Sequence, residues 1–183
     1  HQFYPTLYRN TVMVKQPKTP EQGYHFTTDM TDETISWINN VNATDTEKPW
    51  FVYYSTGAVH APHHAPKEWR DKYKGKFDYG WDKQREMTYA KQLEMGIIPK
   101  GTKLTPRPKE MPAWDAQTPE AKKVYARLME NYAAFMAHTD NEVGRMLDAL
   151  QASGELDNTL IYCILGDNGA SAEGGLEGTF SEV

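Results

Sequence analysis

Cysteine is almost absent: Cys163 is the single one in 183 residues. No disulfide can form within one chain, and a zinc site built on paired cysteines is excluded; no His-Glu-x-x-His pattern stands in for it. Long apolar runs are missing too, with nothing near the ~18 residues of a membrane-spanning helix. Nor is there a long basic run, and at net charge −5 the chain is poorly suited to nucleic acid or to acidic membrane surfaces. The opening His1-Gln2-Phe3 offers neither an initiating Met nor a basic and apolar leader. The start therefore reads as an excised or processed end, and no compartment is legible. An apolar fraction of 39% is low, although 12% of the residues are aromatic. With a mean hydropathy of −0.75, this describes one soluble domain with long polar segments.

What is present centres on Leu160-Ile161-Tyr162-Cys163-Ile164-Leu165, followed at once by Gly166-Asp167-Asn168-Gly169. Six residues without polar alternation predict a strand buried on both faces, as in a parallel sheet. Cys163, inside it, reads as a small hydrophobe without a redox or nucleophilic role. Ligands of open α/β sheets sit beyond the carboxyl ends of strands, and Asp167 and Asn168 present hard oxygens there, suited to Ca²⁺ or Mg²⁺. Asp-Asn-Gly is equally good turn chemistry. The small, polar residues 170–175 do not look like a returning hairpin strand, and on these residues alone both readings stand.

Residues 1–23, broken by Pro5, Pro17 and Pro20, read as an extended surface segment. Thr31 or Asp32 can cap a helix with an apolar face of Ile35, Ile38 and Val41, flanked by Trp37 and ending near Asn39-Asn40. A glycosylation sequon, Asn42-Ala43-Thr44, is too common a triplet to decide anything. Trp50-Phe51-Val52-Tyr53-Tyr54 predicts a second buried strand. Pro66-Lys67-Glu68-Trp69 looks like a first helical turn, and Trp81 to about Leu93 reads as helix stopped by Gly96. Pro99, Pro106, Pro108 and Pro112 make 66–118 a loop-rich insertion, a length of irregular chain that tends to be functional. A helix then starts with Thr118 as cap, Pro119 at its first position and Glu120 at the positive end of the dipole. Val124, Leu128, Tyr132, Phe135, Val143, Met146 and Leu150 form its apolar stripe, interrupted at His138-Thr139-Asp140. Gly154 ends it, and Asp157-Asn158 turns the chain into the Leu160 strand. Helix leading into strand, twice, predicts an α/β fold with a parallel sheet. Two central strands alone leave ladder groups unpaired, so the chain reads as a single partial domain whose open edges favour self-association.

His60-Ala61-Pro62-His63-His64 follows the Trp50 strand by six residues. Solvent-exposed or structural histidines are the ordinary expectation. His60 rises above it because two parallel strands would deliver it and Asp167 to the same sheet edge.

Taken in order, these residues resemble the sulfatase family of the alkaline phosphatase superfamily, specifically bacterial arylsulfatases. The likeness is carried by Lys48 to Tyr54, by Gly57-Ala-Val-His-Ala-Pro-His-His-Ala-Pro-Lys-Glu-Trp69, and by Tyr73-Lys-Gly-Lys-Phe-Asp-Tyr-Gly-Trp81. It continues in Leu104-Thr-Pro-Arg-Pro108, His138-Thr-Asp-Asn-Glu-Val-Gly-Arg145 and Gly166-Asp-Asn-Gly-Ala-Ser-Ala-Glu-Gly-Gly175. The resemblance implies an alkaline-phosphatase-like sandwich with mainly parallel central strands and flanking helices. It implies hydrolysis of a sulfate ester substrate, with Asp167 and Asn168 supplying oxygens to an active-site Ca²⁺. His60 would contact the sulfate near the leaving oxygen and help protonate the departing alcohol or phenol. The family's formylglycine nucleophile arises in a Cys/Ser-x-Pro/Ala-x-Arg motif, which does not occur here. The early paired aspartates, the lysine and histidine between nucleophile and sulfate loop, and the later lysine also lack counterparts. The expectation is an internal segment of the catalytic domain, inactive in isolation. Two other readings stand beside it: a phosphodiesterase or phosphonate monoester hydrolase of the same superfamily, and a non-catalytic structural module.

Overall fold

The computed structural model describes residues 2–166 and 175–178. Its axis is helix α4, Pro119–Ser153. At 1.5 Å per residue, its 35 residues extend about 52 Å. Local chemistry sets both ends. The Thr118 side chain accepts the Ala121 N–H at 3.2 Å, and Pro119 occupies the first turn. At the far end Gly154 adopts φ 78° and its N–H meets the carbonyls of Gln151 and Leu150. The apolar stripe is only partly as expected: Phe135 and Leu150 are buried, whereas Val124 is exposed. Ala126, Glu130, Ala134, His138 and Glu142, four residues apart, form the row that is buried instead.

Helix α1, Phe26–Thr44, packs along α4. It begins well before Thr31, because His25 caps it and accepts the Thr27 N–H at Nδ1. Thr31 is thus a core residue, bonded at 2.9 Å to the Thr27 carbonyl and at 2.7 Å to the Tyr54 hydroxyl. The helix runs on past Asn39-Asn40, with Ile38 buried, and the Asn42 sequon is its last turn. Preceding it, residues expected to be merely extended form a hairpin of β1, Leu7–Arg9, and β2, Val12–Val14. They pair antiparallel, Tyr8 opposite Met13. Asn10, at φ 55°, makes the turn, a conformation asparagine tolerates better than most residues.

The 66–118 segment is irregular but well held. Helix α2, Lys67–Asp71, and helix α3, Gly80–Glu94, both contact α4. Buried Glu130 reaches from α4 to accept the Gly75 N–H at 2.7 Å and pairs with Arg127. Trp114 is buried edge-on against Trp81, with ring centroids 4.8 Å apart. The Trp81 indole N–H donates to the Pro112 carbonyl, and Asp82 receives both the Trp114 N–H and the Arg107 guanidinium.

The two expected buried strands are not formed among the described residues. Among the described residues the hairpin β1–β2 is the whole of the sheet structure, and it is antiparallel. Trp50 to Tyr54 and Leu160 to Leu165 have no ladder; Phe51 is 82% and Ile164 87% exposed. Cys163 is exposed as well, not buried. A run of strand-forming side chains becomes a strand only when a neighbour pairs its N–H and C=O groups, and no described segment does so.

Candidate active site around the histidine loop

The segment from Ser55 to Pro66 lies over the start of α1 and the middle of α4. Ala65 sits in a small core with Ala134 and Phe135, flanked by Ala58, Val59, Trp69 and Tyr73. Ala61 is buried too, whereas His60, immediately before it, is exposed. The His60 N–H donates to the Gly57 carbonyl at 2.9 Å. Its Nδ1 lies 2.8 Å from the Ala61 carbonyl. A carbonyl only accepts, so Nδ1 carries the proton and Nε2 is the basic nitrogen of the neutral ring. His60 borders a recess of about 210 Å³ lined also by Gln2, Gly57, Ala61, Pro62 and His64. Gly57 permits close approach there, since a Cβ at that position would lie 2.7 Å from the Gln2 amide nitrogen.

Beneath the loop lies a polar core. His25 Nε2 meets the His64 carbonyl at 2.9 Å while Nδ1 accepts the Thr27 N–H, which fixes the Nε2–H tautomer. The His25 ring stands edge-on to His138, with centroids 4.4 Å apart. His138 Nε2 is 3.2 Å from the Thr28 hydroxyl, which itself donates to Glu142 Oε1 at 3.2 Å. Thr28 therefore accepts from His138, leaving Nδ1 of that ring as a buried acceptor without a hydrogen-bond donor among the described residues. Glu142 is closed off by Arg145, which also pairs with Asp32 on α1. Burial pushes the pKa of His25 down to about 4, with the bond to His64 and the carboxylates of Glu142 and Glu68 acting the other way. Burial takes His138 to about 4 as well, helped by Arg145 and Lys72. At neutral pH both rings are uncharged. His63 and His64 are also lowered, first by burial.

The sequence singles out His60 but gives no role to His25 or His138. The signal for His138 was the break in the α4 apolar stripe. His25 carried no signal, because histidine is not a usual helix cap. Asp167 and Asn168, the expected oxygen donors, lie outside the described residues.

The chain belongs to the sulfatase family, whose model, described as Sulfatase, matches residues 2–181. Membership implies an alkaline-phosphatase-like α/β fold. An arylsulfatase of Klebsiella aerogenes is 36% identical over 136 residues, covering 74% of this chain and 28% of that protein. An uncharacterized sulfatase of Schizosaccharomyces pombe is 35% identical over 136 residues, 73% of this chain and 24% of its own length. A sulfatase of Formosa agariphila is 27% identical over 152 residues, 82% and 27% respectively. The chain thus spans about a quarter of the length of the curated relatives it matches.

Proposed function

We propose that this chain is the middle portion of an arylsulfatase catalytic domain that hydrolyses sulfate esters to an alcohol or phenol and sulfate. The observation that carries the reading is the family match over residues 2–181, which takes in both the His60 loop and the Gly166-Asp167-Asn168-Gly169 sequence. The arylsulfatase among the relatives favours sulfate over phosphate esters. His60 is the residue that contacts the sulfate and protonates the leaving oxygen. Asp167 and Asn168 fit a Ca²⁺ in kind, being hard oxygen donors, but they are two of the six to eight oxygens this ion takes. Among the described residues no group of three His, Cys, Asp or Glu side chains adds the rest. When bound, the ion would polarise a sulfuryl oxygen. The formylglycine nucleophile, for which no motif exists here, belongs to another part of the protein.

On this reading Trp50 to Tyr54 and Leu160 to Leu165 are central parallel strands of the sandwich, paired by the rest of the domain. Their backbone amides are then expected to exchange slowly in the full-length protein and rapidly in the 183-residue chain. Equal exchange in both would remove the sheet assignment. Left unpaired, the same edges drive self-association of the chain.

The test uses the full-length protein and three substrates: 4-nitrophenyl sulfate, an alkyl sulfate and bis(4-nitrophenyl) phosphate. Wild type should prefer the sulfates. His60→Ala should lower kcat on the alkyl sulfate about 10²-fold, and less on the nitrophenyl ester, whose leaving group needs little protonation. Preference for the phosphodiester would favour the sister hydrolase reading. Sulfatase turnover by the 183 residues alone would overturn the assignment of the nucleophile.

A further inference from the structure

We propose that His25 and Asn131 are positioning residues that clamp the loop bearing His60, each by holding one of two consecutive backbone carbonyls. The proposal rests on the reading of His60 as the group that contacts the sulfate. His25, at the N-terminus of α1, donates Nε2–H to the His64 carbonyl at 2.9 Å. Asn131, on α4, donates its side-chain N–H to the His63 carbonyl. The His63 ring packs edge-on against Tyr132, next to Asn131, with centroids 5.1 Å apart. The Phe3 ring packs near both His25 and His64, with centroids 5.3 and 5.8 Å away.

Apolar contacts alone would not orient this loop. Its buried anchors, Ala61 and Ala65, offer one methyl each, and burial of methyls has no direction. Hydrogen bonds do have direction, weakening steeply once the angle closes. Two of them, from side chains on different helices to adjacent carbonyls, define both the height and the rotation of the peptide three residues beyond His60. The Gly57–His60 and His60–Ala61 contacts then transmit that setting to the imidazole. Misplacing a reacting group by about 1 Å can cost two orders of magnitude in rate, so such a clamp matters to kcat.

His25 has two separable duties, capping α1 through Nδ1 and holding the loop through Nε2, and two substitutions divide them. In the full-length protein, His25→Asn keeps a cap acceptor near the Nδ1 position but cannot reach the His64 carbonyl. It is expected to retain the melting temperature within a few degrees while kcat on an alkyl sulfate drops about tenfold with little change in KM. His25→Gln keeps a donor near the Nε2 position and should lose stability while retaining most of kcat. Asn131→Leu, of similar shape and without a donor, should reproduce the His25→Asn kinetics. In both donor-less variants the His60 amide should exchange faster, with α4 amides unchanged. Unaltered His60 exchange, or kcat unchanged in His25→Asn and Asn131→Leu while His60→Ala still lowers it, would overturn the clamp and leave the His60 reading intact. No effect of His60→Ala would take both down.

Discussion

Between pH 7 and pH 5 the chain should lose about 4 kcal/mol of folding stability, far more than its exposed carboxylates explain. The main source is the buried pair His25 and His138, each 3% exposed, with His63 and His64, also lowered by burial, adding in the same direction. Both have folded pKa values near 4, below the ordinary 6.5. Because the folded values are depressed, the unfolded chain binds the extra protons between about pH 6.5 and 4. Stability is therefore fully present above 6.5 and falls as pH falls towards 4, by up to about 1.4 kcal/mol per pH unit for each ring. Their separation of 4.4 Å prevents relief by charging both, since the second cation would face the first without water. Glu142 compensates only in part, because Arg145 already pairs with it and the Thr28 hydroxyl donates to its other oxygen. The carboxylates of Asp71 and Asp82 are also lowered, by Lys67 and by the Trp114 N–H with Arg107 respectively. Their contribution is lost only below their ordinary 3.8, outside this window. Urea midpoints at pH 7, 6 and 5 measure the slope, and a His25→Asn/His138→Gln double variant should reduce it, leaving the share of His63 and His64. A flat wild-type profile, or an unchanged slope in the variant, would show that the two rings are not held neutral by burial.

The same residues show what a sequence can and cannot disclose. Helix α4 was legible end to end because its signals are local: a threonine cap, a proline in the first turn and a glycine at the stop, each acting within one turn. Helix α1 was misplaced at its start because its cap, His25, is selected by a partner 39 residues away, the His64 carbonyl. Thr31 looked like a cap from its side chain alone, yet its hydroxyl faces inward to Tyr54. The Trp50 and Leu160 runs have the composition of buried strands, but pairing is supplied by other segments, and composition cannot state whether those are at hand. His60 could be found from its place after such a run and from the family likeness of its loop. The clamp behind it joins residues from positions 25, 64 and 131, and no spacing rule connects them.

Gly80→Ala should cost roughly 2–5 kcal/mol. Gly80 opens α3 at φ 79°, a left-handed conformation that disfavours any residue with a Cβ by about 1–2 kcal/mol. The added carbon would also lie 2.0 Å from Trp114 Cδ2 and 2.2 Å from Cγ, far inside contact distance. A flexible chain end could swing away, but these are atoms of a rigid indole near its attachment point. The whole ring must shift, and with it the edge-on packing on Trp81 and the Trp114 N–H bond to Asp82. Overpacking of this kind adds about 1–3 kcal/mol. The expected signature is a fall in the urea midpoint together with loss of the near-ultraviolet tryptophan dichroism, while far-ultraviolet helicity from α4 persists. A double-mutant cycle separates the two causes. With Trp114→Leu the clash is relieved and Gly80→Ala should cost only the backbone share, about 1–2 kcal/mol. Equal costs in the two backgrounds would assign the whole penalty to φ. The tryptophan cluster would then not be what keeps glycine at position 80.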